Sequence, residues 1–308
     1  MKTYSHSGWA PPHGVFATLF AGMAAAVPFG FIYAYSFRYI PYPYLNIVIT
    51  LAFGAGLGFI VAKTAEWGKV RNNIIVGAIG LFVGLFGLYV YWGAYWWAVA
   101  GFDRVAQIGL YAFMPWGILD LALRLFDKGS WGISENAGNL TGWLLVGIWV
   151  IETCIVLGLS VVVSLLNSDR PFCETCQVWT ESQRGVARLS GNGSEPAWEK
   201  VLAGELPALA EFPPAPPGAM QYVRLDLARC PRCEYGRFLT ICAVDVVVDK
   251  EGKASEKARA LVTNGIVTPS QCAVVEACGK LYDQHLEQSL GPLSAEAGGP
   301  PAPAEGES

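Results

Sequence analysis

Apolar residues in this chain run in long blocks first and in short alternations later. No Lys, Arg, Asp or Glu occurs between Thr3 and Phe37, and Gly14–Tyr35 is nearly all apolar. Further blocks follow at Tyr39–Ala62, at Asn72–Phe102 and at Leu140–Leu166, the last interrupted by one charge, Glu152. A helix needs about 20 apolar residues to cross a bilayer. The pattern therefore predicts four spans, at about 14–35, 44–62, 74–97 and 140–166. Aromatic residues gather at their ends, as at a membrane–water interface: Tyr39, Tyr42 and Tyr44, then Trp92, Tyr95, Trp96 and Trp97. Between the third and fourth blocks, residues 115–127 alternate with a helical period. Asp120 and Arg124 lie one turn apart opposite Leu121 and Leu125, the pattern of a helix lying in the interface. A fifth membrane segment within 105–119 is the alternative there. The first block also competes with a signal peptide cleaved at Ala24–Ala26, but its apolar run is too long for one.

From residue 167 the pattern changes. Tyr222–Leu227 alternates, and Phe238–Val248 is rich in β-formers. Ala254–Asn264 reads as a helix stopped by Gly265, and Thr268-Pro-Ser-Gln271 opens another helix reaching about Glu287. Residues 291–308 are Pro, Ala, Gly and Glu, a composition expected to be disordered. The chain thus divides into a transmembrane domain, 1–166, and a soluble domain, 167–290, whose insert at 184–220 reads as a surface loop.

Composition sharpens the division. The whole chain is 53% hydrophobic and 15% charged, against about a quarter charged in ordinary soluble domains. Residues 1–165 hold 8 basic and 6 acidic residues, whereas 166–308 hold 13 and 19. The acidic second half argues against a nucleic-acid surface. With four spans, Lys2, Lys63, Lys69, Arg71, Arg170, Arg184 and Arg188 fall on one side. Arg38, Arg104, Arg124 and Lys128 fall on the other, which places both termini in the cytoplasm of an inner-membrane protein.

Two features of the spans carry chemistry or packing. Glu152 lies near mid-depth, where a carboxylate is costly unless it faces the bundle interior. It reads as a proton or cation site, or as a helix-joining hydrogen bond to Thr50, Tyr89 or Tyr91. Gly54 and Gly58 form one small-xxx-small pair, and Gly77, Gly80, Gly84 and Gly87 a stripe. These faces suit packing within the chain, or a homo-oligomer.

The strongest motif lies beyond the last span. Cys173-Glu-Thr-Cys176 and Cys230-Pro-Arg-Cys233 stand 53 residues apart. Two C-x2-C pairs suit a tetrahedral four-thiolate metal site. The arrangement resembles the zinc ribbon and its CPxC knuckle, a resemblance confined to the two knuckles and their strands. It implies Zn2+ held by Cys173, Cys176, Cys230 and Cys233, with iron as the rubredoxin-like alternative. Two departures stand out: Gln177 and Glu234 occupy the usual knuckle glycine positions, and the spacer is long. Cys154, Cys242, Cys272 and Cys278 read as apolar packing residues. His6, His13 and His285 assemble no catalytic motif, and no nucleotide-binding or hydrolase signature occurs.

The fold expected is an all-α four-helix membrane bundle with a small cytoplasmic α+β zinc-ribbon-like domain. The function expected is a membrane-anchored interaction or assembly module with an unnamed protein partner, and no catalytic residues. A small-solute or ion transporter using Glu152, and a membrane-bound electron carrier with iron, are the alternatives.

Overall fold

A computed structural model describes residues 1–40, 42–100, 108–129, 141–166, 170–191, 195–250 and 252–290. The chain forms two compact units, His6–Asp169 and Met1–Ser5 with Arg170–Ser308. The expected tail at 291–308 lies outside the described residues, as do 103–107 and 130–139 of the connection between the third and fourth spans.

The first unit contains four helices long and apolar enough to cross a membrane: α1 (Pro12–Tyr39), α2 (Pro43–Trp67), α3 (Asn73–Ala100) and, after the shorter α4 (Pro115–Lys128), α5 (Gly142–Ser164). They are compatible with a multi-pass membrane protein. The helices start where the local chemistry permits. Proline stands in the first turn of α1, α2 and α4, where its missing N–H costs nothing. Asn72 caps α3, its Oδ1 accepting from the N–H groups of Ile74 and Ile75 at 3.0 and 3.1 Å. α2 runs beyond the expected residue 62 because Lys63 and Glu66 pair at 3.0 Å and keep the last turn soluble. It ends at Gly68, which packs against the backbone of Gly14.

Large apolar side chains such as Phe16, Phe20, Ile32, Phe59, Ile74 and Leu85 are exposed on the helix exteriors. A soluble protein rarely shows so continuous an apolar surface. The interior combines small residues with buried large ones such as Tyr33, Phe53, Leu57 and Tyr91. On α1, Gly14, Thr18, Gly22, Ala26, Gly30 and Ala34 recur every fourth position and are all buried. A Cβ on Gly22 would lie 2.6 Å from Val83, and one on Gly30 would lie 2.8 Å from Val90. α1 and α3 therefore run parallel in close contact. α2 and α5 do the same: a Cβ on Gly54 would fall 2.9 Å from the Val156 backbone and one on Gly58 2.7 Å from Ser160 O. The constant offset of these two contacts sets Thr50 level with Glu152.

On α4, Gly117, Leu121 and Leu125 are buried while Leu119 and Leu123 are exposed, and Arg124 pairs with Asp120 at 3.0 Å. Among the described residues of 105–119 the chain forms a 3-10 turn, Gly109–Phe113, and the start of α4, so no fifth long apolar helix occurs among them.

The second unit is built on a four-stranded antiparallel sheet in sequence order: β3 (Glu181–Ser190), β4 (Gln221–Arg229), β5 (Arg237–Val248) and β6 (Ala254–Ile266). A small hairpin, β1 (Phe172–Cys173) with β2 (Val178–Trp179), precedes it. One face of the sheet presents Ala187, Leu189, Val223, Leu225, Leu239 and Ile241 to a core completed by α6 (Glu195–Ala203), a 3-10 turn (Leu206–Glu211) and α7 (Pro269–Leu290). Thr268 and Gln271 form a reciprocal cap at the start of α7, with bonds of 2.9 and 3.3 Å.

Two expectations are overturned here. The span 254–264 is not a helix but strand β6, paired with β5 along its length. Its Ala, Glu, Lys and Arg residues favour a helix, yet the turn at Asp249–Lys253, closed by bonds of 2.9 and 3.1 Å, folds it back onto β5. As an edge strand it stays charged and exposed through Leu261. The insert 184–220 is not a surface loop: it holds most of β3, and Val201, Leu206, Leu209 and Phe212 are buried in the core.

Residues 1–5 belong to this second unit. Ile266 N–H donates to Lys2 O and Tyr4 N–H to Asn264 O, each at 2.9 Å, and Tyr4 meets the Phe238 ring edge-on at 5.0 Å. The chain start thus extends the sheet past β6.

Candidate metal centre

The hairpin β1–β2 pairs Phe172 with Trp179 and Cys173 with Val178, leaving 174–177 as a tight turn. Its base is fixed by Thr180, whose N–H and hydroxyl both donate to Pro171 O, at 3.2 and 2.8 Å, and by Arg170, whose Nε donates to Thr180 O at 2.9 Å. Such a turn requires one residue with positive φ, normally glycine. Gln177 takes that conformation, with φ of 54°, and its side-chain amide donates to Glu174 O at 2.6 Å. The missing glycine therefore leaves the knuckle geometry intact.

The second knuckle joins β4 to β5, which are in register up to Arg229 and Arg237. Cys230 N–H donates to Gly236 O at 2.7 Å, and Arg232 N–H donates to the Cys230 Sγ at 3.4 Å. Gly236 is where the knuckles meet: a Cβ there would lie 2.8 Å from the Cys230 Cβ and 3.0 Å from the Cys173 Sγ. Glycine is required at 236 by this close approach rather than by a positive φ.

These two turns bring Cys173, Cys176, Cys230 and Cys233 together, with all four sulfurs within 4.8 Å of one another. Cys173 and Cys233 Sγ are 3.6 Å apart. That is far beyond a disulfide bond of about 2.05 Å. Sulfurs at the corners of a tetrahedron with metal–sulfur bonds of about 2.3 Å would stand about 3.8 Å apart. The set could hold a metal ion. Its electrostatics are those of crowded thiols. Backbone N–H groups of Gly236 and Tyr235 lower Cys233 to about 6. The hydrogen bond to Cys233, then burial, pushes Cys176 up to about 12, and burial raises Cys173. The Cys233 thiolate is favoured by its donors and those of Cys173 and Cys176 are opposed; a bound cation would offset the added charge.

The remaining cysteines do not join this cluster. Cys242, Cys272 and Cys278 are buried; Cys154 is exposed on α5 rather than packed inside. Glu152 contacts none of its three expected partners by a hydrogen bond among the described residues: Thr50 bonds Tyr33 and Asn46 O, and Tyr89 donates to Phe113 O. The predicted glycines line the helix contacts within the chain. Gly80 and Gly84 face Ser160 and Ser164 of α5, Gly87 faces Leu57 and Phe53 of α2, and Gly77 has only ordinary contacts near 3.8 Å.

A second polar cluster, not anticipated from sequence, covers the sheet face opposite the core. Arg224 pairs with Asp226 at 3.0 Å and with Glu256 at 3.1 Å. Tyr222 donates to Glu256 at 2.5 Å, and the Arg188 guanidinium lies over the Tyr222 ring at 5.1 Å. The signal was the alternation of Tyr222, Arg224 and Asp226, which a strand places on one face.

Comparison of the chain with protein families, with curated proteins and with solved structures finds no match.

Proposed function

We propose that the chain is a membrane-anchored interaction or assembly module whose sheet-containing unit is held together by structural Zn2+. The observation that carries this reading is the closed four-sulfur set formed by two turns far apart in sequence. Four thiolates leave no open position on a tetrahedral ion, so the ion would link β1–β2 to the β4–β5 hairpin rather than perform chemistry. The positive φ of Gln177 in the first knuckle and the close approach at Gly236 in the second support the zinc-ribbon reading. The charged sheet face around Arg224 and Glu256 is the surface we assign to a protein partner. With four spans, Met1–Ser5 and Arg170–Leu290 would share one side of the bilayer, and the bias of Lys and Arg supports the cytoplasmic side.

Metal analysis and visible absorbance of the purified full-length protein test the proposal. One zinc per chain in a colourless protein, lost in Cys173→Ser, is the expected result. A folded metal-free protein, or the thiolate-to-iron bands of a red protein, would overturn it. Crosslinking in native membranes should capture a protein partner with wild type and not with Cys173→Ser.

A further inference from the structure

The helical unit contains a cavity of about 270 Å³ between α2 and α5, lined by Asn46, Thr50 and Glu152 and by four isoleucines of the two helices. Asn46 is 6% exposed, and its side-chain Oδ1 has no hydrogen-bond partner. The Thr50 hydroxyl is already committed: its proton goes to Asn46 O at 2.8 Å, so the 2.9 Å contact with Tyr33 is donated by the tyrosine. Among the described residues, no hydrogen bond or ion pair reaches Glu152. The cavity therefore holds two acceptors without partners, one of them a carboxylate, against a single donor group, the Asn46 amide N–H2, and no cation in its lining. A buried acceptor left alone is costly, and an unpaired carboxylate more so.

The ligand that answers this surface carries N–H donors, a positive charge and an apolar body. A bare divalent cation is a poor match, because it needs about six oxygen ligands. An anion would face Glu152. A cavity of about 150 Å³ lined by aliphatic residues holds benzene, so the larger volume has room for a six-carbon chain and its head group. We propose that this cavity binds a small aliphatic ammonium, with its head between Glu152 and Asn46 and its chain along the isoleucines. The proposal is independent of the metal centre.

Equilibrium binding of labelled n-hexylammonium to full-length protein in lipid nanodiscs, measured against empty nanodiscs, tests it. Saturable binding of one molecule per chain is expected. Glu152→Gln should weaken it about tenfold or more, since a charged hydrogen bond is lost. Ile155→Phe, which keeps the carboxylate and fills the space, should abolish it. Thermal unfolding of the helical circular-dichroism signal in nanodiscs reports that the helices of each variant are folded. Binding no greater than to empty nanodiscs overturns the proposal. So does equal competition by 1-hexanol, which would show an apolar cavity that any chain or lipid tail fills. Displacement by sodium alone would assign the site to an inorganic cation and also overturn it.

Discussion

Gln177 shows how one side chain can stand in a glycine position. Its left-handed backbone brings Cβ close to the following carbonyl, which costs about 1–2 kcal/mol. The bond from its amide to Glu174 O recovers part of that. Gln177→Gly should therefore raise the stability of the metal-loaded unit by up to about 1 kcal/mol, read from chemical denaturation of the full chain. Gly236 is the opposite case. Gly236→Ala drives a methyl group against Cys230 and Cys173. It should lower zinc affinity while all four ligands remain, and competition with a chromophoric chelator measures the loss. The four cysteines were legible in sequence because their spacing follows directly from the chemistry of the knuckle. Gln177 was not, because a positive φ leaves no mark on composition when the residue is not glycine.

At the scale of elements, the two ends of the chain were unequally readable. Long apolar blocks specify membrane helices almost by length alone, and all four appear with ends shifted by a few residues. The packing stripe on α1 was overlooked although it repeats every four residues from Gly14 to Ala34, since the eye stops at glycine and passes over Thr18, Ala26 and Ala34. Strand β6 was misread because an exposed edge carries no apolar alternation, and only its pairing with β5 sets its conformation. The glycine contacts yield a paired prediction. Gly80→Ala places a methyl group 2.8 Å from the Ser164 hydroxyl and 2.9 Å from Ser160 O, and should cost about 1–3 kcal/mol. Gly77→Ala meets nothing closer than 3.8 Å and should leave stability unchanged to within about 1 kcal/mol. Thermal unfolding in nanodiscs separates the two. On the sheet, the Tyr222 hydrogen bond, with Arg188 and Arg224 nearby, holds Glu256 below the ordinary carboxylate value of 4.5. Its contribution is thus fully present above pH 4.5 and is lost as pH falls through the depressed value. Glu256→Gln should flatten that part of the acid-unfolding profile.

Over the whole molecule, the helical unit and the sheet unit rest on different physics. One combines close backbone approach at small residues with a buried aromatic and aliphatic core, and also turns large apolar side chains outward. The other has an ordinary core and, in our proposal, an ion linking its two hairpins. Chelation should therefore melt the sheet unit and leave the helices formed. Far-UV circular dichroism would show loss of strand signal with helical signal retained, and hydrogen exchange would locate the change to residues 170–290. Simultaneous loss of both would show that the units fold as one.

The pairing of Lys2 and Tyr4 with the end of β6 has a consequence for how the protein is made. Residues 1–5 are synthesised before the four long apolar helices, and their partner strand only after them. If those helices cross the bilayer, Lys2 and Tyr4 can pair with the end of β6 only on a chain threaded with the correct number of crossings. A nascent chain that missed one crossing would strand residues 1–5 on the wrong side, with β6 left open. The finished edge is thus a record that insertion succeeded.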